Sequence, residues 1–295
     1  MAFDLRSGRA AARLSLFLFC LLSIMQPAKA IAQGTTLRVV VLGSSTAAGA
    51  NASPLSLSWV NRYTAYLATT VPGSEVINLG VGGYTTFSVM PTGNVPPSPW
   101  NTSEYSPATN NNITAALALN PSLIIINLPT NDCDLHVPIE LQMANYTAIV
   151  AAAAAQQVPV WISTPQPRTN GDVAARALLA AMVQSTFEAF PDRAVDFWTD
   201  VADADGRILP IYDSDQVHLN NAGHAVLYDR AVATIVTTPP PFPVIAMHPR
   251  ARAVMENDST SFQVIAFGDP GLSYEWQKNG SPIPGANSAR YVIAN

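Results

Sequence analysis

Four short segments, far apart along the chain, carry the residue types that nucleophilic catalysis by a hydroxyl group requires. Gly43-Ser44-Ser45 offers serine hydroxyls, Gly80-Val81-Gly82-Gly83 offers backbone N–H groups free of side chains, and Asn131 offers a side-chain amide. Nearer the C-terminus, Asp215-Gln216-Val217-His218 places a carboxylate and an imidazole three positions apart. A serine hydroxyl is a poor nucleophile near neutral pH, and an imidazole is a suitable base to accept its proton. Serine, imidazole and carboxylate are together the groups that acyl transfer to a serine uses.

Each segment also has an ordinary structural explanation. A serine in a glycine-flanked turn commonly caps the following helix, glycines satisfy tight turns, and an Asn-Asp pair commonly forms a turn or a cap. His218 as a surface residue and Asp215 as a capping residue are equally ordinary. No segment decides the matter alone, whereas the order of all four along a predicted sheet favours an enzyme.

An alternation of strands and helices must position these segments. Short, nearly continuous apolar runs predict buried parallel strands at 37–42, 76–79, 123–128, 158–163 and 194–197. Longer helical patterns lie at 59–69, 113–119, 139–157, 172–190 and 220–236. The alternation predicts an α/β fold with a doubly wound parallel sheet of about five strands. Because ligands bind beyond the carboxyl ends of such strands, the segments that follow the first three strands are expected to face one site.

In this order, the four segments resemble those of the SGNH hydrolases, also called the GDSL esterase/lipase family, across roughly residues 37–236. The resemblance implies a flavodoxin-like α/β fold and a serine esterase that uses no cofactor. It also implies roles for five residues: Ser45 as the nucleophile, Asp215 as the orienting acid, His218 as the base, and Gly83 and Asn131, with the N–H of Ser45, as the oxyanion hole.

Two positions depart from the family pattern. Gly43-Ser44-Ser45 stands where Gly-Asp-Ser is usual, and Pro129-Thr130 stands where a glycine pair often precedes the Asn-Asp. Neither departure removes a catalytic group. The serine doublet nevertheless leaves Ser44 as a second candidate for the attacking hydroxyl.

Residues 1–30 have the layout of a secretory signal peptide. Arginines precede an apolar run from Leu14 to Met25, and the segment ends in Ala28-Lys29-Ala30. The run is too short to cross a bilayer core, which needs about 20 residues. We therefore expect cleavage after Ala30, no stable insertion in the membrane, and a secreted, periplasmic or extracellular location. The mature chain would keep one thiol, Cys133, and no internal disulfide.

The C-terminal part of the chain differs in kind from the rest. The predicted hydrolase domain, 31–236, ends at the Pro-rich linker 237–243, and 244–295 alternates in period two between Gly/Pro turns, which predicts an all-β module. Trp276 and its neighbours resemble the central strand of bacterial immunoglobulin-like domains. About 50 residues is too few for a seven-stranded sandwich, so we expect an incomplete immunoglobulin-like module.

Composition and charge exclude several classes of protein. With 48% apolar and 12% charged residues, the chain is not disordered. The net charge of −5 argues against nucleic acid as a partner. The chain has four histidines, its two cysteines are far apart, and it lacks a His-Glu-x-x-His motif, so no metal is expected. Gly80-Val81-Gly82-Gly83 lacks the spacing of a dinucleotide-binding loop, so no nucleotide cofactor is expected either.

Other residues are weaker candidates for the site. His136 and Asp134 follow the third strand, where a solvated loop is the ordinary role, and His224 is expected to pack or cap within the last helix. Aromatic residues are candidates for pocket walls, namely Tyr84, Phe87, Trp100, Tyr105 and Trp161. Of these, Trp161 lies in the middle of a strand and is expected in the core.

These observations lead to one expectation and one rival. The expected protein is a secreted serine esterase that hydrolyses carboxylic esters through an acyl-enzyme. Its candidate substrates are acetyl groups on extracellular polysaccharide and short-chain esters. The rival is a carbohydrate-binding or adhesion protein that keeps the scaffold without catalysis. The presence of Ser45, Asp215 and His218 favours the enzyme.

Overall fold

A five-stranded parallel sheet, in the order β2-β1-β3-β4-β5, forms the centre of the protein. Its strands are β1 Arg38–Gly43, β2 Glu75–Asn78, β3 Leu123–Asn127, β4 Val160–Ser163 and β5 Ala194–Val195. Every neighbouring pair is parallel. The α/β fold with a parallel sheet of five strands is thereby confirmed. The computed structural model describes residues 36–294 except 129, 236, 238–242, 256–257 and 269–271, so the predicted signal segment 1–30 and most of the linker 237–243 lie outside the described residues.

Seven helices connect or flank the described strands. They are α1 Ser45–Ala48, α2 Trp59–Thr70, α3 Ile113–Ala118, α4 Thr130–Asp134, α5 Ile139–Ala154, α6 Val173–Ala189 and α7 Asn221–Thr234. Side chains at their N-termini fix where several of them begin. Ser58, Asn112, Asp172 and Asn220 each accept a hydrogen bond from a backbone N–H in the first turn of α2, α3, α6 and α7, respectively. None of the helices in the described residues is long and apolar enough to span a bilayer.

Hydrophobic layers cover both faces of the sheet. Within β1, Val40 and Leu42 join one core cluster, whereas Val39 and Val41 join the other. All four side chains are fully buried, which explains why the strand is apolar at successive positions rather than at alternate ones. Trp161 of β4 is 5% exposed and belongs to the core, as its place in the sequence predicts.

The long connection 91–112 packs back on the domain through aromatic rings. Trp100 stacks on Phe87 with ring centroids 5.7 Å apart, and Tyr105 meets both rings edge to face. Phe87 is fully buried. These three residues therefore hold the connection against the core instead of all lining an open pocket.

The C-terminal part forms antiparallel pairs of short strands: β6 Val244–Met247, β7 Thr260–Gln263, β8 Ile265–Phe267, β9 Gln277–Lys278, β10 Ser281–Pro282 and β11 Arg290–Ile293. The pairs are β6 with β8, β7 with β11 and β9 with β10. A small core surrounds Phe262 and Trp276. The antiparallel β character agrees with the sequence, whereas the immunoglobulin-like assignment stays a prediction.

The pair β6–β8 packs directly on the α/β part. Val244, Met247 and Ile265 are buried in the same core cluster as β1 and α5. At the edge of this contact the carboxylate of Glu140 forms ion pairs with the guanidinium groups of Arg250 and Arg252. The β strands therefore extend the core of the sheet.

Candidate active site

Ser45, His218 and Asp215 form one chain of hydrogen bonds. The Oγ atom of Ser45 lies 2.9 Å from Nε2 of His218, and Nδ1 of the same ring lies 2.9 Å from Oδ2 of Asp215. A carboxylate only accepts hydrogen bonds, so in the neutral ring the proton belongs on Nδ1 and Nε2 is left as the acceptor for the serine hydroxyl. The imidazole is thereby oriented to take a proton from Ser45.

Glycines bring the serine segment close to its neighbours. Strand β1 ends at Gly43 and helix α1 begins two residues later; a Cβ atom on Gly43 would lie 2.6 Å from the Cβ of Ala47. A Cβ atom on Gly80 would lie 2.9 Å from that same atom. Both distances are shorter than any real carbon contact, so only glycine allows this packing. The structure also separates the two serines: Ser44 is buried at the N-terminus of α1, and the hydroxyl that contacts His218 belongs to Ser45.

Four donors surround the carboxylate of Asp215. Its Oδ1 accepts from the backbone N–H groups of Val217 at 3.0 Å and His218 at 2.7 Å. Its Oδ2 accepts from the His218 ring and from the side-chain amide of Asn51 at 2.8 Å. Partial burial acts to raise the pKa of Asp215, but these hydrogen bonds outweigh it and hold the pKa well below its usual range. The carboxylate therefore stays ionised at any pH where the protein is expected to work.

The loop that follows β4 supports the turn between Asp215 and His218. The carbonyl of Gln216 accepts from the N–H groups of Thr169 at 2.8 Å and Asn170 at 3.0 Å. The amide of Gln166 donates to the carbonyl of Val217 at 3.1 Å. These bonds fix the backbone that carries the imidazole.

The two segments predicted to form the oxyanion hole contact each other, and the glycine segment lies beside Ser45. A Cβ atom on Gly82 would lie 3.9 Å from the Cβ of Ser45, and the amide of Asn131 donates to the carbonyl of Tyr84 at 2.9 Å. Gly83 adopts a φ of +82°, a conformation that favours glycine, while a Cβ atom there would meet nothing within 4 Å. The requirement for glycine at position 83 is thus conformational and not steric.

Asp132 joins these two segments, a link that the sequence did not indicate. The side chain is fully buried, and both carboxyl oxygens lie 3.0 Å from the N–H of Thr86. The Thr86 hydroxyl donates to Oδ1 at 2.5 Å and accepts from the amide of Asn145 at 2.8 Å. Burial raises the pKa of Asp132 to about 7, against the opposing effect of the Thr86 hydrogen bonds. The carboxyl group ties α4, which carries Asn131, to the segment that carries Gly83.

The sequence of this region identifies the family. Residues 41–226, well over half of the chain, match the GDSL-like Lipase/Acylhydrolase family. The chain belongs to this family. The prediction of an ester hydrolase of the GDSL type is therefore confirmed.

Solved structures of several proteins are similar to this GDSL-like acylhydrolase. The psychrotrophic esterase EstA from Pseudoalteromonas sp. is 16% identical, with 67% of this chain and 95% of EstA covered and a TM-score of 0.46. A GDSL-like lipase from Bacteroides thetaiotaomicron is 17% identical, with 69% and 90% covered and a TM-score of 0.48. The acetyl xylan esterase AlAXEase is 16% identical, with 68% and 100% covered and a TM-score of 0.49. A comparison with curated proteins gives no match.

Other polar residues of this GDSL-like acylhydrolase have structural contacts. His136 is exposed and pairs with the carboxylate of Asp172 at 3.1 Å. His224 is buried, as predicted, and burial lowers its pKa. Cys133 is a free thiol, and burial raises its pKa, so it is not a reactive nucleophile. Within the described residues, no three His, Cys, Asp or Glu side chains converge where they could hold a metal ion.

Proposed function

We propose that this acylhydrolase is a secreted serine esterase in which Ser45 is the nucleophile, His218 the base and Asp215 the orienting acid. The observation that carries the proposal is the pair of 2.9 Å contacts on the two sides of the His218 ring. A base 2.9 Å from a hydroxyl is within reach of its proton. The alignment of a hydroxyl, an imidazole and an ionised carboxylate in this order supports an enzyme over a binding protein.

Acylation begins with attack of the Ser45 oxygen on the ester carbonyl carbon. The Oγ–C bond forms while the hydroxyl proton moves to Nε2 of His218, and the electron pair of the C=O bond moves onto oxygen. The N–H groups of Ser45 and Gly83 and the amide of Asn131 stabilise this oxyanion. One N–H of the Asn131 amide is used by the Tyr84 carbonyl, and the amide carries a second. Loss of one such donor typically costs about 3–4 kcal/mol of transition-state stabilisation.

Acylation is completed when the C=O bond re-forms, the bond to the alcohol oxygen breaks, and that oxygen takes the proton from His218. Deacylation repeats these steps with water. The imidazole then accepts a proton from water, whose oxygen attacks the acyl carbon, and the Ser45 oxygen leaves with that proton. Asp215 stabilises the imidazolium that forms in both halves of the reaction. The products are a carboxylic acid and an alcohol.

An open site supports an ester carried on a large molecule as the substrate. The side chain of Asp215 is 43% exposed and that of His218 is 22% exposed. Gly82 and Gly83 are exposed as well. Together with the predicted export, this accessibility supports removal of acetyl groups from extracellular polysaccharide as the leading substrate class, with short-chain soluble esters as the second.

Hydrolysis assays test both the chemistry and the substrate class. Wild type, Ser45→Ala and Ser44→Ala are compared on p-nitrophenyl acetate, butyrate and octanoate, and on acetate release from acetylated xylan. We expect Ser45→Ala to lose at least about 10³-fold in kcat and Ser44→Ala to resemble the wild type. Full activity of Ser45→Ala would refute the assignment of the nucleophile. A wild type inactive on every ester would favour the carbohydrate-binding or adhesion protein.

A further inference from the structure

Asn51 contacts the carboxylate of Asp215 from a segment that lies outside the four catalytic segments. We call the hydrogen-bonded series Ser45, His218 and Asp215 the proposed relay. Asn51 lies between α1 and α2, and its side-chain amide donates to Oδ2 of Asp215 at 2.8 Å. The same oxygen accepts from Nδ1 of His218 at 2.9 Å. Two donors from different elements therefore share one carboxylate oxygen.

We propose that Asn51 is a positioning residue that fixes the orientation and the charge distribution of Asp215 behind His218. The proposal rests on the proposed function, since it assigns a role within the same relay. With Asn51 in place, both oxygens of the carboxylate accept two hydrogen bonds, which fills the acceptor capacity of the group. The carboxylate then has no freedom to rotate away from the imidazole.

Contacts on both sides of Asn51 hold it at this position. On one side, the carbonyl of Ala50 accepts from Nε2 of the buried His224 at 2.9 Å. On the other, the side chain of Asn221 accepts from the N–H of Ser53 at 2.9 Å and donates to its carbonyl at 2.8 Å. Both partners belong to α7, the helix that follows the turn carrying His218. Contacts with α7 therefore hold the segment that carries Asn51 close to the turn that precedes this helix and carries His218.

The backbone conformation at position 51 is a simpler reason for an asparagine there, and experiment can distinguish it from the positioning role. Asn51 adopts a φ of 62°, a conformation in which asparagine is more common than most residues. Glycine accepts the same conformation without strain, so Asn51→Gly removes the amide and keeps the backbone. Asn120, exposed and at a φ of 53° before β3, is a matched position remote from the relay.

We expect loss of the Asn51 amide to lower kcat and to leave KM nearly unchanged. Asp215 exerts its full influence when the imidazole becomes charged, which happens on the way to the transition state. An interaction that strengthens only there changes kcat and leaves substrate binding nearly unaltered. An amide that served only the fold would alter stability and leave the pH profile unchanged.

The experiment compares wild type, Asn51→Gly, Asn120→Gly and Ser45→Ala, each as the full mature chain, on p-nitrophenyl acetate across pH 5–9. We expect Asn51→Gly to lower kcat about 10-fold with KM within about twofold, and Asn120→Gly to match the wild type. Loss of the amide donor leaves more negative charge on Asp215 to favour the charged imidazole, so the acidic limb of the pH profile of Asn51→Gly should move to higher pH.

Two results would overturn the proposal. One is a wild-type kcat in Asn51→Gly, and the other is an unchanged pH profile in the same variant. Ser45→Ala separates this failure from failure of the proposed function: if Ser45→Ala is inactive and Asn51→Gly resembles the wild type, only the role of Asn51 is refuted. If Ser45→Ala is active, the proposed relay itself is wrong.

Discussion

The hydroxyl of Ser45 lies 2.9 Å from the imidazole of His218 although 173 positions separate the two residues in the chain. One group follows the first strand of the sheet and the other precedes the last helix, α7. Neither α1, with four residues, nor the turn at 215–218 would hold its side chain in place alone. Their contact depends on the sheet and on the helices packed around it.

Removal of the Asn131 amide should slow the chemical step. We expect Asn131→Ala to lower kcat by about 10²–10³ with a smaller change in KM, because the donor is proposed to act on charge that appears only in the transition state. Steady-state kinetics on p-nitrophenyl acetate measure both constants. Asn101→Ala, at an exposed position without a positive φ, is the control for loss of an asparagine amide. A kcat unchanged in Asn131→Ala would remove this residue from the oxyanion hole.

Alanine should be tolerated at position 82 and not at position 83. Gly83→Ala forces a side chain into a left-handed conformation, at a cost of about 1–2 kcal/mol, although no atom lies within 4 Å of the added carbon. Gly82→Ala adds an ordinary contact 3.9 Å from Ser45 and should cost less than about 0.5 kcal/mol. Denaturant unfolding of the two variants measures the difference. Equal stabilities would contradict the conformational explanation.

The acidic side of the pH profile should report one titrating group. Because hydrogen bonds hold the pKa of Asp215 well below its usual range, this carboxylate remains ionised from pH 8 down to about pH 4. Loss of activity over that interval therefore does not come from protonation of Asp215. A plot of log(kcat/KM) against pH should have a limiting slope of about one. A slope near two would indicate that a second group, such as Asp215, titrates with it.

Asp132 should make the protein less stable as the pH rises. Its pKa is raised from 3.8 to about 7, so the folded state holds the proton more tightly than the unfolded state. The stabilisation is complete below about pH 4 and is lost as the pH rises towards 7, by about 1.4 kcal/mol per pH unit. Asp132→Asn, which cannot ionise, serves as the comparison. The difference in unfolding free energy between wild type and variant should change over this interval, and a constant difference would contradict a raised pKa.

Strands were the part of the fold that the sequence predicted best. Their apolar residues run continuously because both faces of the sheet are covered, and that pattern is visible without coordinates. Helices α1 and α4, with four and five residues, are shorter than the pattern by which a helix is recognised, so the segment around Asn131 was expected to be a turn or loop and is helical.

Polar contacts between distant segments could not be predicted from the sequence. Thr86 and Asp132 are 46 positions apart, and Asn51 and Asp215 are 164 apart. Asparagine, aspartate and threonine occur in turns and helix caps throughout the chain, so their type does not indicate a distant partner. The motif residues were found because four segments occur in a known order; Asn51 lies outside these segments, and Asp132 lies within one of them but without a predicted role.

Because β6 and β8 pack on α5, these two strands belong to the core of the domain that carries the candidate active site. Part of the apolar surface of that helix is sealed by strands that come after the Pro-rich linker, so a chain cut at the linker would present Met143 and its neighbours to water. We therefore expect the hydrolase domain and the β strands that follow the linker to unfold in a single cooperative transition. The strands that follow the linker then contribute to the stability of the domain that carries Ser45 and His218.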